Sequence, residues 1–407
     1  MRMSTSMLSS LSVNAILEQQ SALSKTQDQI STGKRVNTPA DDPVAATQIA
    51  QLTSTQSQYT QYASNGQTAT TRLNYETQAL ADSTTTLQSI RDLVVQANNS
   101  SNNPSDLKSI ATQVKSLESQ LQGIANTQDA QGEYLFSGYS SDTQPFVRGS
   151  AGSVSYLGDT GARSVQLDST TSVQQGDPGS SVYMNIPAGN GTFTTAATAG
   201  NSGTGVIDTG SVTNSAAWVS GQYTVTFTDA THWAVTDGSG NPVTDGSGNP
   251  VVGTYDPTQG GTVAFDGIQV GISGAPAAGD TFKVSPSGSV SVFDTLDKLA
   301  NTLNNASSSS AARAQLSTAL GGTLQQLDQA MNQVSKVNSQ VGARINLISS
   351  MATSLTARKT SVTTQISNLG DLDYVSATAK LSQEYIGLQA AENSYAQIAQ
   401  LSLFKYL

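Results

Sequence analysis

Residues 324–369 read LQQLDQAMNQVSKVNSQVGARINLISSMATSLTARKTSVTTQISNL. Within them Leu324, Leu327, Met331, Val334, Val341, Ile345, Ile348, Ala352, Leu355, Val362, Ile366 and Leu369 fall in one register of steps of three and four, broken only by the polar Asn338 and Lys359. Such steps average about 3.5 residues, the repeat of a helix whose apolar seam keeps facing a partner helix. A seam of this length cannot be buried by its own helix. It predicts a second helix of similar length, and the stretch 44–98 supplies it: Leu52, Tyr59, Gly66, Leu73, Leu80, Leu87 and Val94 recur at intervals of seven.

Beyond this pair, Leu107, Ile110, Val114, Leu117, Leu121 and Ile124 repeat the three-four step and predict a shorter third helix. Asn103-Pro104-Ser105-Asp106 separates it from the one before. Pro104 disfavours a helical residue ahead of it, and Ser105 or Asp106 is expected to cap the new helix. The composition then changes. Residues 141–290 are rich in Gly, Thr, Val and Asp, and Gln222 to Thr228 (QYTVTFT) alternates with period two, as do Thr262–Phe265 and Ile268–Ile272. Asp-Gly pairs at 237, 245 and 266 punctuate them, which is strand-and-turn chemistry. The octapeptide TDGSGNPV occurs twice in tandem, at 236–243 and 244–251. Two copies are too few for a solenoid, so they are expected to lengthen a loop.

The expected fold is therefore α+β. A long antiparallel α-helical coiled-coil rod is formed by the N- and C-terminal arms, with an inserted β-rich outer domain. The expected divisions are 1–43 (terminal arm), 44–140 (helical rod), 141–290 (β-rich outer domain), 291–370 (helical rod) and 371–407 (terminal arm).

Of the 407 residues only 12% are charged, about half the usual share. Ser, Thr, Gln and Asn replace them, giving a surface that repels its copies weakly and offers many hydrogen-bonding groups. The net charge of −10 is concentrated in 141–290, which holds 3 basic and 11 acidic side chains. No basic patch marks a nucleic-acid footprint, and no apolar run approaches a membrane span, so neither nucleic acid nor membrane is an expected partner. The first twelve residues lack the apolar core of a cleavable secretory signal.

Few residues suggest catalysis. There is no cysteine and one histidine, His232, which reads as an ordinary strand residue beside Trp233. Ser31-Thr32-Gly33-Lys34 resembles the tail of a phosphate loop, but Asp28 stands where that loop needs glycine and Arg35 where it needs Ser or Thr. Asp237-Gly-Ser-Gly-Asn241 opens like a calcium loop, but Pro242 and Gly248 occupy the positions that require Gly and Glu. A turn is the better account. No catalytic residue, cofactor site or metal site is expected. Asp41-Asp42-Pro43 is a strong helix-start signal, because a carboxylate accepts the free amides and a first-turn proline sacrifices no hydrogen bond.

Residues 26–49, TQDQISTGKRVNTPADDPVAATQI, resemble the N-terminal helix and turn of the flagellin superfamily, and Val341-Gly-Ala-Arg-Ile-Asn346 resembles its returning C-terminal helix. The start Met1-Arg-Met-Ser-Thr5, the stretch Gly132–Gly138 followed by Pro145-Phe146, and the end Ser402–Leu407 look like the hook-associated branch of that superfamily. Tyr223–Pro286 is similar to the outer β-domain of that branch.

The resemblance implies a structural subunit of the bacterial flagellum that assembles between hook and filament and adapts one to the other. It further implies export through the flagellar secretion channel to the cell exterior. The implied partners are further copies of the chain, a neighbouring hook-associated protein, filament flagellin, and an export chaperone on the C-terminal helix. A filament flagellin, or an adhesin-like binding protein using the β-domain, are the alternatives. The residues expected to carry assembly are Leu8, Leu11, Ile16, Leu23 and Ile30 in the first arm. Leu381, Tyr385, Leu388, Tyr395 and Ile398 are expected to do so in the last. The two arms are expected to pair and order only where neighbouring subunits bury them.

Overall fold

The structure, a computed structural model, describes residues 5–149 and 152–403. Met1–Ser4 and Phe404–Leu407, which carried part of the family resemblance, lie outside them. Among the described residues six helices frame the chain: α1 (Thr5–Thr32), α2 (Pro43–Ala97), α3 (Pro104–Ala125), α4 (Val292–Asn304), α5 (Ser310–Gly370) and α6 (Tyr374–Leu403). They fall into two compact units, Met1–Asn65 with Ser350–Leu407, and Gly66–Ser349, so each unit holds part of α2 and part of α5.

The predicted long helices are present, and their apolar rows lie inside. On α2, Leu73, Leu80, Leu87 and Val94 are buried at the predicted interval. On α5 the buried row is Leu320, Leu327, Val334, Val341 and Ile348 in the second unit, continued by Leu355 and Val362 in the first. Gln56 Nε2 reaches Thr363 Oγ1 at 2.8 Å in the first unit, and Arg91 reaches Asp328 at 2.9 Å in the second.

The companion row on α5 differs from expectation. Leu324, Met331 and Ile345 are only half-buried and Ala352 is exposed. Ala330 and Val337, one residue earlier in the repeat, are the buried ones. The cause is a second neighbour. In this unit α5 also receives the chain segment 177–189: Gln326 Nε2 donates to the Pro187 carbonyl, Gln333 Nε2 to Ser181, and Arg344 pairs with Asp177. A helix contacted on two sides buries a wider arc than a coiled-coil seam requires.

The cap of α3 is also corrected. Asn103, not Ser105 or Asp106, is the N-cap. Its Oδ1 accepts from the Ser105 and Asp106 amides, and the Asp106 carboxylate accepts in return from the Asn103 amide at 3.0 Å, a reciprocal capping box with Pro104 in the first turn.

Among the described residues fifteen strands lie between α3 and α4. β1 (Phe146–Arg148) pairs with β2 (Val154–Tyr156), and β3 (Ser164–Gln166) with β4 (Ser172–Gln174). These belong to the helical part rather than to an outer domain. Phe146 and Tyr183 are fully buried, with ring centroids 5.5 Å apart at 89°, and both pack on Phe293 of α4. Tyr183 also hydrogen-bonds Ser83 of α2 at 2.7 Å. Gly179 is needed here, since a β-carbon would lie 2.7 Å from the Phe146 ring. The helical core thus takes in residues on the far side of the expected division at 141.

β5 (Ile186–Pro187) pairs with β15 (Ser289–Val290), and beyond this neck comes the outer β-core. Its strands are β6 (Phe193–Ala197), β7 (Val206–Ile207), β8 (Ser211–Val212), β9 (Tyr223–Asp229), β10 (His232–Asp237), β11 (Val252–Thr254), β12 (Gly261–Phe265), β13 (Ile268–Ser273) and β14 (Thr281–Pro286). One sheet runs β11-β10-β9-β14-β6. The other runs β12-β13-β7, with β8 also on β13. Alternate residues such as Val225, Phe227, Val263, Val270 and Phe282 meet in one apolar cluster. The tandem octapeptide is more ordered than a lengthened loop. Val243 N–H donates to the Val235 carbonyl, Val251 to Val243, and Val235 to Val251, closing a three-membered ring of backbone bonds. Each copy forms the same turn, with Asp237 Oδ1 or Asp245 Oδ1 accepting two backbone amides.

Candidate assembly site

The first unit is built from two helix pairs and the turns that join them. α1 and α6 pack along each other. Ile16, Leu23 and Ile30 face inward from α1, with the fully buried Thr26 between them. Leu381, Leu388, Tyr395 and Ile398 are half-buried on α6. Polar groups sit in this seam as well. Gln19 Nε2 donates to the Glu384 carbonyl at 3.0 Å, opposite Gly387, and the Glu384 side chain is buried. Polar seam positions fix register at some expense of stability.

The remaining predicted arm residues face outward. Leu8, Leu11 and Tyr385 are exposed, Tyr385 to 61%. They do not stand alone: Met7, Val13 and Leu17 on α1 and Ile386 on α6 are exposed too. The three-four step assigns these four to no seam, which is why they escape a reading for buried faces. Their signal in the sequence is being apolar outside that step.

The turns between the helices form a second feature. Gly33 ends α1 with φ +69°, a left-handed conformation, which explains the failed phosphate-loop match: this glycine closes a helix. Arg35 N–H donates to the Gly370 carbonyl at 2.7 Å, and Leu372 N–H to the Gly33 carbonyl at 3.0 Å, so the turn after α1 is stitched to the turn after α5.

Asp41, Asp42 and Pro43 form the turn that opens α2. Asp42 caps α2 through the Ala45 amide at 3.0 Å and meets Arg35 at 3.1 Å. Asp41 ties the turn together, accepting from the Asn37 and Thr38 amides and pairing with Lys25 of α1 at 2.9 Å. The Lys25 ammonium and the Thr38 amide hold the Asp41 carboxyl below the usual carboxylate range, and the Ala45 amide and Arg35 do the same for Asp42. Beside these bonds Val44, Tyr374 and Val375 are exposed, Val375 to 80%. The first unit thus presents several large apolar side chains to solvent.

His232 lies exposed on β10 and pairs with Asp229 at 2.9 Å. Among the described residues no group of three His, Cys, Asp or Glu could hold a metal ion, and no helix is long and apolar enough to cross a membrane.

Residues 3–141 match the bacterial flagellin N-terminal helical region, residues 324–407 the flagellin C-terminal helical region, and residues 196–286 the D2-like domain of flagellar hook-associated protein 1. The chain is 34% identical over 186 residues to flagellar hook-associated protein 3 of Salmonella typhimurium, covering 46% of this chain and 58% of that relative. The match therefore spans a little under three fifths of the length of the curated relative. Similarity to the flagellin of Escherichia coli K12 is 35%, over 28% of this chain and 22% of that one. The crystal structure of the flagellar junction protein FlgL from Legionella pneumophila is similar at 32% identity and TM-score 0.71, over 79% of this chain and 99% of that one. FlgL from Xanthomonas campestris gives 31% and 0.70, over 77% and 98%.

Proposed function

The chain belongs to the flagellar hook-associated protein 3 family, and we propose accordingly that it is a structural subunit joining hook to filament in the bacterial flagellum. It acts by assembly and not by catalysis. The observation that carries this reading is the outward apolar set of the first unit: Leu8, Leu11 and Leu17 of α1, Tyr385 and Ile386 of α6, and Val44 and Val375 at the turns. Each such aliphatic side chain contributes about 1.5–3 kcal/mol when fully covered. Copies of the chain, a neighbouring hook-associated protein and filament flagellin are the partners that cover them. An export chaperone holds the C-terminal helix beforehand, and the chain leaves through the flagellar channel without cleavage. The seam row Leu327, Val334, Val341, Ile348 and Leu355 holds the helices, and Asp41, Asp42 and Pro43 hold the turn from which α2 starts. Coverage favours the junction over the filament, since the flagellin match extends over about a quarter of the chain.

Electron microscopy of flagella from a strain lacking the protein tests this. The expected result is hooks without filaments, with flagellin released to the medium. Filaments still attached would overturn it. Complementation with Leu11→Asp should give protein that is secreted yet leaves hooks bare.

A further inference from the structure

Beneath the outer β-core, in the second unit, four carboxylates and three guanidinium groups gather where α2, the 127–134 turn, the 163–177 segment and α5 meet. Arg72 pairs with Asp129, with Glu133 at 3.1 Å, and donates to the Tyr134 carbonyl. Arg163 pairs with Glu133. Arg344 holds Asp177 through two bonds of 2.8 Å, one to each oxygen. The fourth carboxylate, Glu76, is the most buried of the set, with 1% of its surface exposed, and among the described residues no guanidinium forms an ion pair with it. Its Oε1 accepts from the Asp177 amide at 3.1 Å, while Oε2 is buried and has no hydrogen-bond partner among the described residues. It points toward Gly176, where a side chain would begin 3.6 Å from it.

A lone ionised carboxylate in such a place carries a large desolvation cost, and the cations that could offset it are already engaged. Burial first, then the adjacent negative charge of Asp177, push the Glu76 carboxyl well above the ordinary range. The groups facing it are Arg72 on its own helix, Asp177 on the 176–179 segment, Tyr183 on the short helical turn that comes next, and Arg344 on α5.

We propose that Glu76 stays protonated beside the Asp177–Arg344 pair, which makes the 176–179 segment a latch between α2 and α5 that rising pH loosens. The latch has leverage because of the residues it anchors. Pro178 and Gly179 lead directly into Tyr183, and Gly179 N–H donates to the Phe136 carbonyl at 2.8 Å, so release of Asp177 exposes the aromatic cluster. The sign is fixed by linkage. A carboxyl raised in the folded state contributes stability that is fully present below its unfolded value, near pH 4.5, and is lost as pH rises through the folded value.

The test compares the full chain with Glu76→Gln, which keeps the shape and the Asp177 bond but has no proton to lose. Hydrogen exchange at the Asp177 amide, corrected for intrinsic rate, is followed from pH 5 upward. Across the titration the protection in the native chain should fall by about tenfold per pH unit, while the variant stays flat and melts higher at alkaline pH. The carboxyl carbon resonance that disappears in the variant should titrate above the ordinary glutamate range. Parallel pH profiles for the two proteins, or a Glu76 resonance titrating near pH 4.5, would overturn the proposal.

Discussion

Arg35 donates Nη2 to the carbonyl oxygen of Leu369, 2.7 Å away and 334 residues further along the chain. The same guanidinium reaches Asp42 Oδ2, so one side chain ties the end of α5 to the start of α2. Replacing it by alanine should cost about 1 kcal/mol, since the site is half exposed and its hydrogen bonds compete with water. Lysine should rescue little, because a single ammonium cannot span both acceptors. Faster exchange of the amides of residue 35 and Leu372 in both variants is the check. Unchanged protection would mean that the backbone bonds hold the turns without it.

Gly33→Ala should be worse. The backbone there has φ +69°, and the new β-carbon would lie 2.9 Å from the Tyr374 hydroxyl oxygen. Left-handed strain costs about 1 kcal/mol, and the contact adds to it. Adding Tyr374→Phe should recover only the steric share, which a thermal melt of the double variant would measure.

On α5, Val341 and Ile345 are one turn apart and differ in burial. Val341→Asp should cost upward of about 3 kcal/mol by placing an unpaired charge in the seam. Ile345→Asp should cost clearly less, because its side chain already reaches water. Equal loss in denaturant titrations would show that both positions are enclosed.

Two excisions separate the neck from the outer core. Thr192 and Ser287, next to the paired ends of antiparallel β6 and β14, are already joined by a 2.9 Å backbone bond, so replacing 193–286 by a tight Gly-Asn turn should leave a folded helical protein. Replacing 145–286 removes Phe146, Asp177 and Tyr183 from the helical core and should prevent folding. Circular dichroism melts of the two distinguish them, and similar cooperative melts for both would show that the neck is dispensable.

Removing one octapeptide, residues 236–243, should be tolerated. Val235 N–H already donates to the Val251 carbonyl, and the Val251 amide freed from Val243 can return the bond, giving an ordinary hairpin. The loss is confined to burial of one valine, about 1.5–3 kcal/mol. Fluorescence of the buried Trp233 should be preserved in the shortened protein. A red-shifted spectrum would show that the ring of three valines supports the sheet.

The order of the parts was legible in the chain before any fold was known. Leu327, Val334, Val341 and Ile348 at intervals of seven, with Leu73, Leu80, Leu87 and Val94, specify two long helices, since apolar periodicity is a property of the chain that burial merely completes. The Asp41-Asp42-Pro43 start and the Asp266-Gly267 turn are equally local. The remaining features came from the folded arrangement alone, because they depend on which distant residues meet. Val337 is buried and Ile345 only half-buried because α5 carries a second neighbour. Phe146 and Tyr183 join the helices rather than the outer sheet because Phe293 and Ser83 receive them. Glu76 looks like any surface glutamate on an amphipathic helix until the fold brings Asp177 against it and commits Arg344 to Asp177 instead.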